Sequence, residues 1–303
     1  MPEVIWGINP VLEALKARPE AFKEIIIARP STPPCKRGGK IGEGLNRILQ
    51  TARKRHIRTT FKDRGALPHL AKNHGHQDIV AIVEEYRYAK IEEIINLYRS
   101  QKERALIIIL DGIEDPQNLG SLIRSAHVAG VHGVVIPKHR AAPVTATVNK
   151  ASAGALEHTL VARVTNLAST INYLKKQGVW IIGTTMEAQR TIYELDLRSD
   201  VAFVVGSEGK GIRPLIKRHC DFLVSIPMKG KVSSLNVAVA GAIALFEAVR
   251  QRQSAFQLSG SGSLLRLLPP ALLVCLFVKP GYEPVKIDIM FADIRNVLRL
   301  PAS

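Results

Sequence analysis

Three short segments hold residue types that could do chemistry. In "DGIEDPQNLGSLIR", residues 111–124, the Asp115-Pro116 pair forces a turn, Asn118 is placed to cap a helix, and Arg124 follows six residues later. On a helix these two lie roughly 9 Å apart along the axis, so both reach one ligand; a capped helix with an exposed arginine is the plain alternative. In "VVGSEGKGI", residues 204–212, Gly206, Gly209 and Gly211 follow an apolar run and let backbone N–H groups approach a ligand, or simply form a tight turn. The spacing is neither G-x-G-x-x-G nor a phosphate loop ending in Gly-Lys-Ser/Thr, and Glu208 would repel an anion. In residues 225–252, "SIPMKGKVSSLNVAVAGAIALFEAVRQR", Pro227, Gly230 and the Ser233-Ser234 pair make an irregular loop. A helix rich in Ala and Gly follows and permits close backbone packing, although an ordinary core helix reads the same way.

These segments must be positioned by the elements around them. Apolar runs "ALIIILDG", "GVVIP", "WIIGTT", "VAFVVGS" and "FLVSIPM" alternate with helical patterns over 118–130, 167–177 and 235–252. Continuous apolar strands separated by helices predict a parallel sheet covered on both faces, with function at the carboxyl ends of its strands. Upstream, "GINPVLEALKA" predicts a helix with Asn9 as N-cap and Pro10 in its first turn. Strands are expected at 24–28 and 78–86, and a helix over 45–56 with Leu45, Ile48, Leu49 and Ala52 inward. The expected organisation is a small α/β domain over 1–86, a helical, charge-rich connector over 87–103, a parallel-sheet domain over 104–252, and an extension over 253–303. That extension opens on the linker-like "QSAFQLSGSGS" and carries no functional reading.

The 303 residues carry a net charge of +16, which points to a polyanionic partner. Residues 36–64 concentrate it, with ten Lys or Arg against Glu43 and Asp63. Cys35, Cys220 and Cys275 have no paired spacing, which argues against a disulfide scaffold or zinc ribbon and fits a reducing cytoplasm. The "HGH" of His74 and His76 has no companion ligands, so it reads as surface loop. No secretory signal is read at the start, and the apolar run at 264–278 is short and interrupted by Arg266, Pro269 and Pro270; no membrane association is expected.

In order and spacing, "NLGSLIRSA", "GSEGKGI" and "IPMKGKVSSLNVAVA" resemble the three signature motifs of the SpoU/TrmH branch of the SPOUT RNA 2'-O-methyltransferases. "WGINPVLEAL" resembles the RNA-binding extension of the bacterial large-subunit rRNA guanosine methyltransferases in that branch. The resemblance covers about 104–252 plus that extension, and the family pattern ends near "FEAVRQR". It implies a C-terminal trefoil knot, which would account for the small residues after Asn236, and S-adenosylmethionine as cofactor, held by Thr184, Gly206, Gly209, Ile226, Met228 and Leu235. It implies an acceptor site shaped by Asn118, Glu208, Ser234 and Asn236, with Arg124 assigned to activation of the ribose 2'-OH. A guanidinium is a poor base, so Arg124 could instead bind a phosphate and align the hydroxyl. The resemblance further implies a homodimer and a guanosine of 23S rRNA as substrate. A tRNA ribose methyltransferase and a non-catalytic RNA-binding or ribosome-assembly protein are the alternatives. A nucleotide-dependent oxidoreductase would need the dinucleotide motif that the chain lacks.

Overall fold

The computed structural model describes residues 3–29, 43–71, 77–230 and 234–259. His74, His76, Cys35, Cys275, Ser233 and the run 264–278 lie outside them.

The chain opens with β1 (Glu3–Trp6), α1 (Ile8–Ala17), β2 (Phe22–Ala28), α2 (Glu43–Lys54), β3 (Thr59–Lys62), α3 (Leu67–Ala71) and β4 (Ile79–Val83). The strands form one sheet in the order β1-β4-β2-β3, in which only β2 and β3 run parallel. Val11, Ala14 and Leu15 of α1 and Ile48 and Ala52 of α2 are buried against it, with Leu45 and Leu49 half-buried beside them. Arg47, Arg53, Lys54 and Arg55 are left exposed. Asn9 does not cap α1: the helix begins at Ile8, and its N-cap is Gly7 at φ 95°, a backbone angle that favours glycine.

The expected connector helix is α4 (Ile91–Gln101). It is shorter than 87–103 because Glu93 Oε1 accepts from Lys90 N at its start and Lys102 turns left-handed at its end.

The remaining elements are β5 (Leu106–Asp111), α5 (Pro116–Val128), β6 (Gly133–Pro137), α6 (Ala146–Ala151), β7 (Val161–Val164), α7 (Leu167–Lys176), β8 (Trp180–Thr184), β9 (Val201–Gly206), α8 (Pro214–His219), β10 (Phe222–Val224) and α9 (Val237–Ser259). The six strands pair entirely in parallel, in the order β10-β8-β9-β5-β6-β7. All six residues of central β5 are buried. Alternation sends Leu106, Ile108 and Leu110 into one core with α5 and α9, and Ile107 and Ile109 into another with α4, α7 and α8.

The sequence reading missed β7, a four-residue edge strand with Arg163 at its third position. It also ended the last helix at 252, whereas α9 continues through Ser259, because "QSAFQLS" contains no helix breaker before Gly260. Close packing after Asn236 is present at Gly241, where an added Cβ would meet Leu122 Cδ2 at 2.5 Å.

Residues Met1–Gln257 make one compact unit. Within it α1 docks on the stretch 146–159: Arg18 donates to Glu157 from Nε at 2.7 Å and from a terminal nitrogen at 3.1 Å, and Glu13 meets His158 at 2.9 Å. Gly154, at φ 90°, sits where a Cβ would press on the Glu13 side chain.

Candidate active site

β5 feeds β6 on one side, while β8, β9 and β10 lie on the other, so strand order reverses between β5 and β9. Crevices at the carboxyl ends of such strands are the usual ligand sites of parallel sheets. Here a cleft of about 220 Å³ opens there, lined by Gly112, Ile113, Glu114, Asp115 and Asn118 after β5, by Ser207, Glu208 and Lys210 after β9, and by Val237 at the start of α9.

The loop after β5 turns at Asp115, whose carboxylate accepts from Gln117 N at 3.2 Å and Asn118 N at 2.9 Å. Asp115 is thus the N-cap of α5, with Pro116 in the first turn, and the expected cap Asn118 lies inside the helix. That frees the Asn118 side chain for the cleft. The loop after β9 is pulled back on itself: Gly211 N donates to Ser207 O at 2.9 Å, and a Cβ on Gly206 would overlap the Gly211 carbonyl and the Ile212 nitrogen. Gly209 holds φ 81° in this turn. Arg213 closes the loop by pairing with the fully buried Asp111, Nε to Oδ1 at 2.7 Å, with its own N–H on Oδ2 at 2.9 Å.

Three of the expected site residues meet. Asn236 Nδ2 donates to Asn118 Oδ1 at 2.9 Å and to Glu208 Oε1 at 2.7 Å, and Asn118 Nδ2 lies 3.4 Å from the same Glu208 oxygen. Glu208 Oε1 also accepts from Val237 N at 3.1 Å, and Asn236 Oδ1 accepts from Ala238 N at 2.9 Å. The Glu208 side chain therefore lies at the positive end of α9, which explains an acidic residue in a glycine loop.

Other expected residues stand apart from that cluster. Arg124 is exposed on α5, does not line the cleft, and makes no ion pair or side-chain hydrogen bond with another described residue. Ser234 is exposed just ahead of Leu235. Thr184, at the end of β8, donates its hydroxyl to Val204 O at 3.1 Å. Ile226 packs half-buried on the core, while Met228 and Leu235 remain about 36% and 39% exposed. Of the residues expected to hold the cofactor, Gly206 precedes the cleft-lining Ser207, Gly209 lies between Glu208 and Lys210, and Leu235 stands two residues before Val237, whereas Thr184, Ile226 and Met228 are not among the residues that line this cleft.

Sequence reasoning missed the roles of Gly112, Glu114, Ser207, Lys210 and the buried Asp111–Arg213 pair. The available signal was an Asp-Gly ending a wholly apolar strand. Among the described residues no group of His, Cys, Asp and Glu could hold a metal ion. Burial pushes the Cys220 thiol up to about 12, which keeps it from acting as a nucleophile.

Fold and site together define a parallel-sheet α/β enzyme whose cleft is lined by Glu114, Asp115 and Glu208 against one lysine, suited to a cationic ligand rather than to a nucleotide phosphate. Comparison with known proteins specifies the class. Residues 105–246 match the SpoU rRNA Methylase family, and residues 4–89 match the family described as RNA 2'-O ribose methyltransferase substrate binding. The chain is 41% identical over 250 residues to the 23S rRNA (guanosine-2'-O-)-methyltransferase RlmB of Coxiella burnetii, covering 82% of this chain and 96% of that one. It is 40% identical over 252 residues to RlmB of Escherichia coli K12, covering 83% and 100%. Among solved structures, the SpoU methyltransferase AviRb from Streptomyces viridochromogenes, in complex with the cofactor AdoMet, superposes with a TM-score of 0.67 at 25% identity, covering 83% of this chain and 90% of that one. The chain belongs to the SpoU rRNA methylase family, and with it to the S-adenosylmethionine-dependent RNA 2'-O-methyltransferases.

Proposed function

We propose that the protein methylates the ribose 2'-OH of a guanosine in 23S rRNA. The observation that carries this reading is the joining of Asn118, Glu208 and Asn236, from three separate segments, at the wall of one cleft. When bound, S-adenosylmethionine supplies an electrophilic methyl group on a sulfonium. Thr184, Gly206, Gly209, Ile226, Met228 and Leu235 would hold it: the glycines admit backbone contact, the apolar side chains cover an adenine, and the acidic cleft favours its positive charge.

Asn118 and Asn236 hold Glu208 in place by hydrogen bonds and thereby shape the acceptor wall. Ser234, exposed two residues before Asn236 in the chain, would be a further polar contact for the ribose. Arg124, an exposed guanidinium without a side-chain partner among the described residues, binds the adjacent phosphate and aligns the hydroxyl; a guanidinium already carries its proton and has no free lone pair with which to take up another.

Residues 1–86 serve as the substrate-binding domain, 87–103 as the connector and 104–252 as the methyltransferase domain, a division supported by the two family matches. The C-terminal half of the catalytic domain is threaded as a trefoil knot, a reading supported by the family and by the close packing at Gly206 and Gly241. A homodimer is supported by the exposed apolar side chains of Val239 and Phe246, seven residues apart and so on one face of α9. Among the described residues no helix is long and apolar enough to cross a membrane, and an rRNA substrate supports a cytoplasmic location.

The test is methyl incorporation from labelled S-adenosylmethionine into protein-free 23S rRNA, followed by digestion to nucleosides. 2'-O-Methylguanosine is expected. Label in tRNA alone would shift the reading to a tRNA enzyme, and label in neither would leave an RNA-binding protein without catalysis. Sedimentation should show a dimer that Phe246→Asp dissociates.

A further inference from the structure

The loop after β6 carries three consecutive basic residues, Lys138, His139 and Arg140, that the methyl-transfer reading leaves without a role. All three are exposed, and none of their side chains bonds to another described residue. The loop is nevertheless firmly held. Lys138 N donates to Val164 O at 2.8 Å, Arg163 donates to Lys138 O at 3.2 Å, and Ala142 N donates to Ile113 O at 2.8 Å. Ile113 lines the cleft, and a Cβ on neighbouring Gly112 would lie 3.9 Å from the Arg140 carbonyl, so the basic loop runs along the cleft mouth.

Arg140 adopts φ 56°, left-handed backbone that residues with a Cβ seldom occupy. Such strain persists where the surroundings over-determine it, and it clusters at functional sites. An arginine rather than a glycine in that position keeps a cation where the backbone alone would favour none.

The charges inside and outside the cleft differ in sign. Glu114, Asp115 and Glu208 line the interior with Lys210, a balance that favours a cationic methyl donor and repels a phosphodiester. Arg140 is nearest the cleft, its carbonyl beside Gly112, and Lys138 and His139 precede it on the same exposed loop. We propose that Lys138, His139 and Arg140 form a phosphate-binding rim that holds the RNA backbone beside the target nucleotide, so that only the ribose enters the acid-lined cleft. This rests on the methyl-transfer reading for its purpose, whereas the phosphate contact itself is measured independently of catalysis.

The experiment compares wild type with the Lys138→Ala/Arg140→Ala double variant and with Arg140→Gly, using a 23S rRNA fragment. Each single-strand phosphate contact contributes about 0.7 to the slope of log affinity against log salt, so the double variant should lower that slope by about 1.4. KM for RNA should rise about tenfold or more, kcat should stay within about threefold, and calorimetric affinity for S-adenosylmethionine should stay within about twofold. Arg140→Gly relieves the backbone and keeps the loop, so it should unfold no earlier than wild type yet still raise KM; Arg140→Lys should recover most of the loss.

An unchanged salt slope and KM in the double variant would overturn the rim. So would weakened cofactor affinity, which would show that the loop supports the donor site instead. Absence of methyl transfer by the wild type, together with the expected drop in slope, would remove the proposed reaction and leave the rim standing.

Discussion

Asn236 uses both ends of one amide. Its oxygen accepts from Ala238 N and caps α9, while its nitrogen donates to Asn118 and to Glu208, so the side chain that starts the helix also ties together the cleft wall. Arg124 works differently, since nothing in the described protein holds its guanidinium. Arg124→Ala should therefore lower methyl transfer at least about 100-fold, the order lost when a positioning group is removed, with cofactor affinity changed less than about twofold. Leu235→Arg, on the donor side, should weaken calorimetric cofactor binding. Normal cofactor affinity in Leu235→Arg, or retained turnover in Arg124→Ala, would contradict these placements.

At the scale of elements, each strand of the parallel sheet brings a loop to the same edge, and the junctions at the opposite ends keep the strands in register. His132, just before β6, accepts from Leu106 N at 3.1 Å through Nδ1 and packs against Tyr98, with Glu103 3.5 Å from Nε2. Burial holds its pKa below the ordinary 6.5, because charging the ring there costs desolvation. The unfolded chain takes up this proton first as pH falls, so the stability is fully present above about 6.5 and is lost downward from there toward the folded pKa. Denaturant unfolding at pH 7 and pH 5 should show wild type losing more stability than His132→Asn, whose amide oxygen keeps an acceptor for Leu106 and does not titrate. His127 is shifted in the same direction, chiefly by desolvation, so part of the pH dependence should remain in the variant.

Across the whole molecule, the parts that match the two families, residues 4–89 and 105–246, are fastened by charge as well as by packing. The Glu157 side chain is 1% exposed and accepts from Asn149 as well as from Arg18, while Arg18 also reaches Glu84 O at 3.3 Å. A buried pair adds little over an apolar contact, but breaking one leaves a stranded charge at about 3–5 kcal/mol. Arg18 keeps some access to water, so Arg18→Gln should cost about 2–3 kcal/mol, read as a lower urea midpoint. An unchanged midpoint would show that packing around Gly154 holds the seam alone. With the seam intact, the basic helix α2 keeps a set position relative to the cleft.

The amino-acid sequence by itself was enough for the class of protein. Apolar runs, glycine turns and the order of three motifs are local features, and local backbone preferences settle strands, turns and helix starts to within a few residues. Only the tertiary structure decided which residues meet. Asn118 and Glu208 are 90 residues apart and meet because β9 lies beside β5, and Asn118 and Asn236 are 118 apart and meet because the start of α9 is brought to the end of β5. The same holds for Asp111 with Arg213, 102 residues away, and for Glu157 with Arg18, 139 away. Even the local choice of Asp115 over Asn118 as helix cap frees the Asn118 amide to meet Glu208 and Asn236 across the cleft. Periodicity reports which way a side chain faces, but strand order decides what it faces.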